Sequence, residues 1–138
     1  MCKEELHLYG IKENKILKTL KNEINFKTCE ILNKDILVGV NYDSCLINLE
    51  SNEITIKKES NLEISSMIKL NESTLIFVYE NFFKIICIKE SSFIELKTID
   101  FFKEKICSLI LLNDNSILIS TKDGVIEYEL KRVFSIYQ

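Results

Sequence analysis

A phrase of about forty residues recurs three times along this chain, and no other feature restricts its fold so strongly. The stretch MIKLNESTLIFVYENFFKIICI, from Met67 to Ile88, superposes on LILLNDNSILISTKDGVIEYEL, from Leu109 to Leu130, at a spacing of 42 residues. Leu70 then meets Leu112, Asn71 meets Asn113, Leu75 meets Ile117 and Asn81 meets Asp123. The earlier stretch CEILNKDILVGVNYDSCLINLE repeats the pattern, with Leu32 and Asn33 preceding Leu70 and Asn71 by 38 residues. Units repeated at this period bury their apolar faces against one another, so the chain is an array.

Each copy resolves into four short apolar runs separated by polar turns. They are TCEIL, DILVGV, CLINLE and EITIKK in the first copy, and SSMIKL, TLIFVYE, FFKIICIK and FIELKTID in the second. The third copy has ICSLILL, SILIST, VIEYEL and RVFSIYQ. Runs of this length, rich in Ile, Val, Phe and Tyr, are strands; they are too short for ordinary helices. Asn33, Asn71 and Asn113 open the first turn of each copy, and Asp43, Asn81 and Asp123 stand in the second, where Asx side chains bond their own backbone. Asp123-Gly124 is the strongest hairpin signal, and predicts a type I′ turn with Gly124 at positive φ. The second and third runs are apolar at consecutive positions, as strands covered on both faces are, whereas the fourth runs of the first two copies alternate and so have one wet face. At the N-terminus, ELHLYGI and KILKTL, joined by Lys12 to Asn14, supply two further strands. The expectation is an all-β chain of about fourteen antiparallel strands in successive four-stranded sheets arranged radially, with essentially no helix. A two-sheet sandwich or barrel is the structural alternative.

Four antiparallel strands graded from buried to wet, with a turn Asx between the second and third, resemble the WD40 and related β-propeller repeats over residues 6 to 138. Asp43, Asn81 and Asp123 occupy the place where such repeats often carry an Asp. The chain has no Trp and no Gly-His pair, so it is similar to a degenerate, WD-like propeller. The resemblance implies a partial blade at 6–25 and blades at about 26–60, 61–103 and 104–138, in a single propeller segment. A closed propeller has four to eight blades, so about three and a half leave apolar faces that a second copy or a blade-supplying partner would cover.

Composition narrows the functions. A chain of 138 residues can bury roughly 70% of its unfolded surface, and 46% hydrophobic with 28% charged residues is globular. A formal charge of −3 provides no cationic excess to neutralise phosphates, which disfavours nucleic acid. Five scattered cysteines, Cys2, Cys29, Cys45, Cys87 and Cys107, form no C-x-x-C pair and suit a reducing compartment. With no signal-like start and no apolar run near the ~20 residues of a membrane helix, the expected location is cytoplasmic, with the nucleus as the alternative.

Enzyme chemistry finds little support. His7 is the only His and lies in an expected strand, the three glycines are scattered, and the acidic residues sit at turns or alternate with apolar ones. Neither a cofactor nor a metal is expected, and the single Arg132 gives no paired-Arg phosphoinositide motif, so no membrane partner is expected either. The resemblance implies that the second-to-third-strand turns and the blade connections share one face, which would receive protein partners. The residues placed there are Tyr42, Asp43, Tyr79, Glu80, Phe82, Lys122 and Asp123, with Lys58, Glu59, Phe102, Lys103 and Glu104 from the connections. Aromatic residues among charges are the composition of interface anchors with a polar rim, although Phe82 and Phe102 can equally fold back onto the core. The leading expectation is a non-enzymatic interaction scaffold. The alternative is a ligand-binding or enzymatic propeller with a central-channel site, for which Glu30, Lys69 and Ser108 are the polar first-strand residues that would have to converge.

Overall fold

The repeated phrases become repeated sheets. The computed structural model describes residues 4–22, 27–41, 44–51, 53–57, 62–100, 103–113 and 115–130. Strands β1 (Glu4–Gly10) and β2 (Lys15–Asn22) form a hairpin. Strands β3 (Thr28–Asn33), β4 (Ile36–Val40), β5 (Ser44–Asn48) and β6 (Ile54–Lys57) form a first sheet. A second sheet contains β7 (Ser66–Asn71), β8 (Thr74–Val78), β9 (Phe83–Lys89) and β10 (Ser92–Ile99). The third contains β11 (Ile106–Asn113), β12 (Ser116–Thr121) and β13 (Gly124–Glu129). Every pairing is antiparallel between neighbours in sequence, and no helix occurs among the described residues. The chain is therefore all-β with four-stranded antiparallel sheets, and these sheets do not make a closed propeller. The fourth run of the third copy, RVFSIYQ, lies outside the described residues.

The three sheets share the same local details. Asn33, Asn71 and Asn113 each accept a bond on Oδ1 from the backbone N–H two residues on, at 2.9, 2.9 and 2.8 Å. This Asx bond turns the chain with a local acceptor in place of a ladder partner. The register slips at the same place in all three, between Ile31 and Asn33, Lys69 and Asn71, and Leu111 and Asn113, so Leu32, Leu70 and Leu112 all occupy a bulge. Beyond each hairpin, Leu49, Ile88 and Leu130 donate their N–H groups to the carbonyls of Asp35, Ser73 and Asn115.

Packing follows the two-residue period of the strands. In β8 and β9 one set of side chains, Leu75, Phe77, Ile86 and Ile88, packs toward the first sheet against Leu32, Val38, Val40 and Leu46. The alternate set, Ile76, Val78, Phe83 and Ile85, packs toward the third sheet against Leu109, Ile117, Ile119 and Leu130. The second sheet is thus buried on both faces, which is why its two central runs are almost continuously apolar. The first strands of successive sheets, β3, β7 and β11, lie beside one another.

The third sheet departs from expectation. VIEYEL was expected to form an interior strand, yet β13 is exposed along nearly its whole length. Among the described residues only its side toward the second sheet has a covering neighbour: Tyr128 packs edge-on against Phe83 at 5.8 Å, while Val125 is 67% exposed. The turn before it is also not type I′. Gly124 has φ +141°, but Lys122 and Asp123 have no positive φ, and Thr121 Oγ1 accepts the Asp123 N–H at 3.3 Å instead.

Positive φ at both central residues, as type I′ needs, occurs instead at Glu90 (φ 51°) and Ser91 (φ 62°), between the paired Lys89 and Ser92. Neither residue type favours that conformation. Replacing Glu90-Ser91 with Asn-Gly is expected to stabilise the protein by ~1 kcal/mol, read from the urea midpoint; an unchanged or lowered midpoint would refute this turn assignment.

Candidate functional site

The first strands begin, and the second strands end, at the same end of each sheet. The registers require it: β7 begins at Ser66 opposite Val78, and β11 begins at Ile106 opposite Thr121. Two equivalent backbone bonds then tie sheet to sheet at this end. Ile64 donates to the Asn41 carbonyl of the first sheet and Ile106 to the Glu80 carbonyl of the second, both at 2.7 Å.

Between these ties opens a groove of about 340 Å³, lined by Lys27, Leu62, Glu63, Ser65, Tyr79, Glu80, Asn81, Phe82 and Lys105. The aromatic wall is a stacked pair, with the Tyr79 and Phe82 rings 4.4 Å apart and inclined by 7°. Lys84 Nζ stands 5.6 Å from the Tyr79 ring centroid. Tyr79 N–H donates to Phe82 O at 2.9 Å and closes the turn that holds the pair. Along the rim Lys27 bonds Glu63 at 2.7 Å, and Ser65 Oγ donates to Val78 O at 2.9 Å. Leu62 presents an exposed apolar side chain beside them. A half-buried aromatic ring in a concave site, bordered by charges of both signs, is suited to an apolar side chain of a partner whose flanking backbone meets polar groups.

The expected surface residues distribute unevenly. Glu80 and Phe82 line the groove, Phe82 half-buried against the core beneath it. Tyr79 also reaches it but is 1% exposed, so its expected place as a surface anchor is corrected. Its side chain continues the Leu75, Phe77 alternation of β8 toward the first sheet, and burial of that face draws it inward. Lys103 is exposed and Glu104 half-buried in the segment before β11, while Lys122 and Asp123 are exposed at the turn before β13. Tyr42, Asp43, Lys58, Glu59 and Phe102 lie outside the described residues. Sequence reasoning missed Lys27, Leu62, Glu63, Ser65, Asn81 and Lys105. Most of them stand just before a first strand, a position that the repeat alignment itself could have marked.

The polar first-strand residues are divided between two faces. Glu30, paired with Val38, and Lys69, paired with Leu75, both face the space between the first and second sheets. Ser108, paired with Ser120, lies on the opposite side of the third sheet from Ile119 and its neighbours. Paired residues share a face, so Ser108 is separated from Glu30 and Lys69 and the three do not form one cluster. Among the described residues no group of three or more His, Cys, Asp or Glu is placed to hold a metal ion, and no helix is long and apolar enough to cross a membrane. Cys29, Cys45, Cys87 and Cys107 are not joined in disulfides. Cys45 is buried, and burial, with a smaller contribution from Cys29, pushes its thiol up to about 11 from 9.0. It is a packing residue rather than a nucleophile. No protein-family model matches the chain, and no curated protein is similar to it.

Proposed function

We propose that this chain is a segment of a WD-like β-propeller that serves as a non-enzymatic scaffold, docking a protein partner at the end of the sheets where the groove opens. The observation that carries the reading is the stacked Tyr79–Phe82 pair in a groove bordered by Lys27–Glu63, Glu80 and Lys105. The three-fold repetition of turn, bulge and inter-strand bond supports the propeller-like assignment. The separation of Ser108 from Glu30 and Lys69 weighs against a ligand site that uses all three first strands. An odd number of free or scattered cysteines accords with a cytoplasmic or nuclear setting.

The partner's anchor is an apolar or aromatic side chain that enters beside Phe82. Affinity capture from the source cell with quantitative comparison of bound proteins tests this. Phe82→Ala and Leu62→Asp are each expected to lower recovery of the specific partner at least tenfold, on the order of a single interface hot spot, while Lys34→Ala, exposed in the β3–β4 turn at the opposite end of the first sheet, leaves recovery unchanged. Equal recovery by folded Phe82→Ala protein, or the absence of any partner specific to the wild type, overturns the proposal.

A further inference from the structure

We infer that the chain self-associates head to tail, the outward face of the third sheet in one copy being covered by the β1–β2 hairpin of the next. This is independent of the docking groove and uses different surfaces.

The argument starts from equivalent residues. Leu32 in the first sheet is completely buried because the second sheet packs over it, and Leu70 in the second is partly buried against the third. Leu112, in the same bulge one repeat later, is 49% exposed. Its neighbours follow suit: Ile110 is 58% exposed, whereas Ile68, its counterpart, packs against the core between the second and third sheets. Register places Ile110 beside Leu118 and Val125 beside Ser120 on this same outward face. The face thus keeps, in Leu112 and Leu118, apolar residues at positions that both preceding sheets use to receive a neighbour, with Ile110 where the second sheet has Ile68 and the first has Glu30. It is also partly converted to polar: Val40 and Val78 are succeeded by Ser120, and Leu46 and Ile85 by Glu127. A contact there is weaker than the packing within the chain, and so reversible.

The occupant follows from direction and elimination. Within the chain, the face of one sheet that looks toward higher residue numbers always meets the opposite face of its neighbour: Val38 and Leu46 meet Leu75 and Phe77, then Ile76 and Ile85 meet Ile117 and Ile119. The remaining side of the first sheet, with Leu37, Cys45 and Ile47, is already buried. The hairpin is different. Tyr9 and Ile16 form a cross-strand pair on one of its faces and are 52% and 54% exposed. Lys12 in the turn beside them and Lys15 at the start of β2 are exposed with Glu13 between them, and this net positive end is complementary in charge to Glu127 and Glu129 of the third sheet. A contact between two different faces is heterologous, and it propagates into a ring or a filament.

Light scattering on the full chain between about 1 and 100 μM supplies the test. The wild type is expected to show a molar mass rising with concentration above the 16.1 kDa of one chain. Ile110→Glu and Ile16→Glu, both at exposed positions, are each expected to be folded and monomeric by circular dichroism and light scattering. An equimolar mixture of the two is expected to form a dimer that grows no further, because one intact hairpin and one intact third sheet remain. A wild type that stays monomeric throughout overturns the inference. So does an Ile16→Glu protein that still dimerises, since that result means third sheets pair with each other, and so does a mixture that stays monomeric.

Discussion

Phe77→Ala is expected to lower unfolding stability by about 3–5 kcal/mol, a large part of the 5–15 kcal/mol available to a domain. Phe77 is 1% exposed and sits where the first two sheets meet, with the Phe93 ring 6.1 Å away at an inclination of 53°. Around it are Leu32, Val38, Val40 and Leu46 from one sheet and Met67 and Ile86 from its own. Truncation removes the ring's transfer free energy and leaves a cavity that two hydrogen-bonded sheets cannot close by a small shift. Urea unfolding followed by circular dichroism measures the loss. A change below about 1 kcal/mol would show that the sheets are not held together through this residue, whereas Val125→Ala, on the exposed face, should fall within about 0.5 kcal/mol of wild type.

The second large effect concerns Cys45 and pH. Its thiol is neutral in the fold up to about pH 11, while the same thiol in the unfolded chain ionises around 9.0. Below pH 9 both states hold the proton and stability is independent of this group. Between 9.0 and about 11 the unfolded chain loses the proton first, so stability falls as pH rises, by up to ~1.4 kcal/mol per pH unit. Unfolding curves at pH 8 and pH 10.5, compared between wild type and Cys45→Ala, isolate that slope; equal slopes would remove the argument. The same burial governs reactivity. At pH 8 the native Cys45 holds roughly a hundredfold less thiolate than an ordinary thiol, and it is shielded as well. Iodoacetamide is therefore expected to label the exposed Cys107 long before Cys45, and to label Cys45 rapidly only in denaturant. Equal native rates would contradict the packing of β5.

The Asx turns show how far local chemistry carries. Asn33, Asn71 and Asn113 are legible in sequence because a short amide at a turn bonds its own backbone, and the bond needs nothing from the rest of the molecule. Asn33 also shows where legibility stops. Its Nδ2 donates to the Glu72 carbonyl of the next sheet at 3.2 Å, a contact that exists only once two sheets are stacked. Glu90 and Ser91 stand in the polar gap between FFKIICIK and FIELKTID, which reads as a turn, but the paired strands on either side force positive φ on residues that do not prefer it.

The candidate groove was half legible for a similar reason. Glu80 and Phe82 stand in a turn whose place in the repeat is fixed, but Lys27, Leu62 and Lys105 join them from three different connections. Their meeting depends on the inter-sheet bonds from Ile64 and Ile106. Tyr79 was misplaced because its neighbours Glu80 and Asn81 give it the surroundings of a loop, while its alternation with Phe77 and Leu75 points it into the space between sheets.

Strand spacing, the Asx turns, the all-β class and the recurrence of a sheet-forming unit were determined by sequence alone, because each rests on interactions between residues a few positions apart or on the period of a single strand. Which face of each sheet is covered was decided by tertiary structure. Leu32, Leu70 and Leu112 are the same residue in the same bulge, yet one is buried, one partly covered and one open. Burial is a property of what packs across a strand, and a neighbour supplied from forty residues away leaves no mark on the strand it covers.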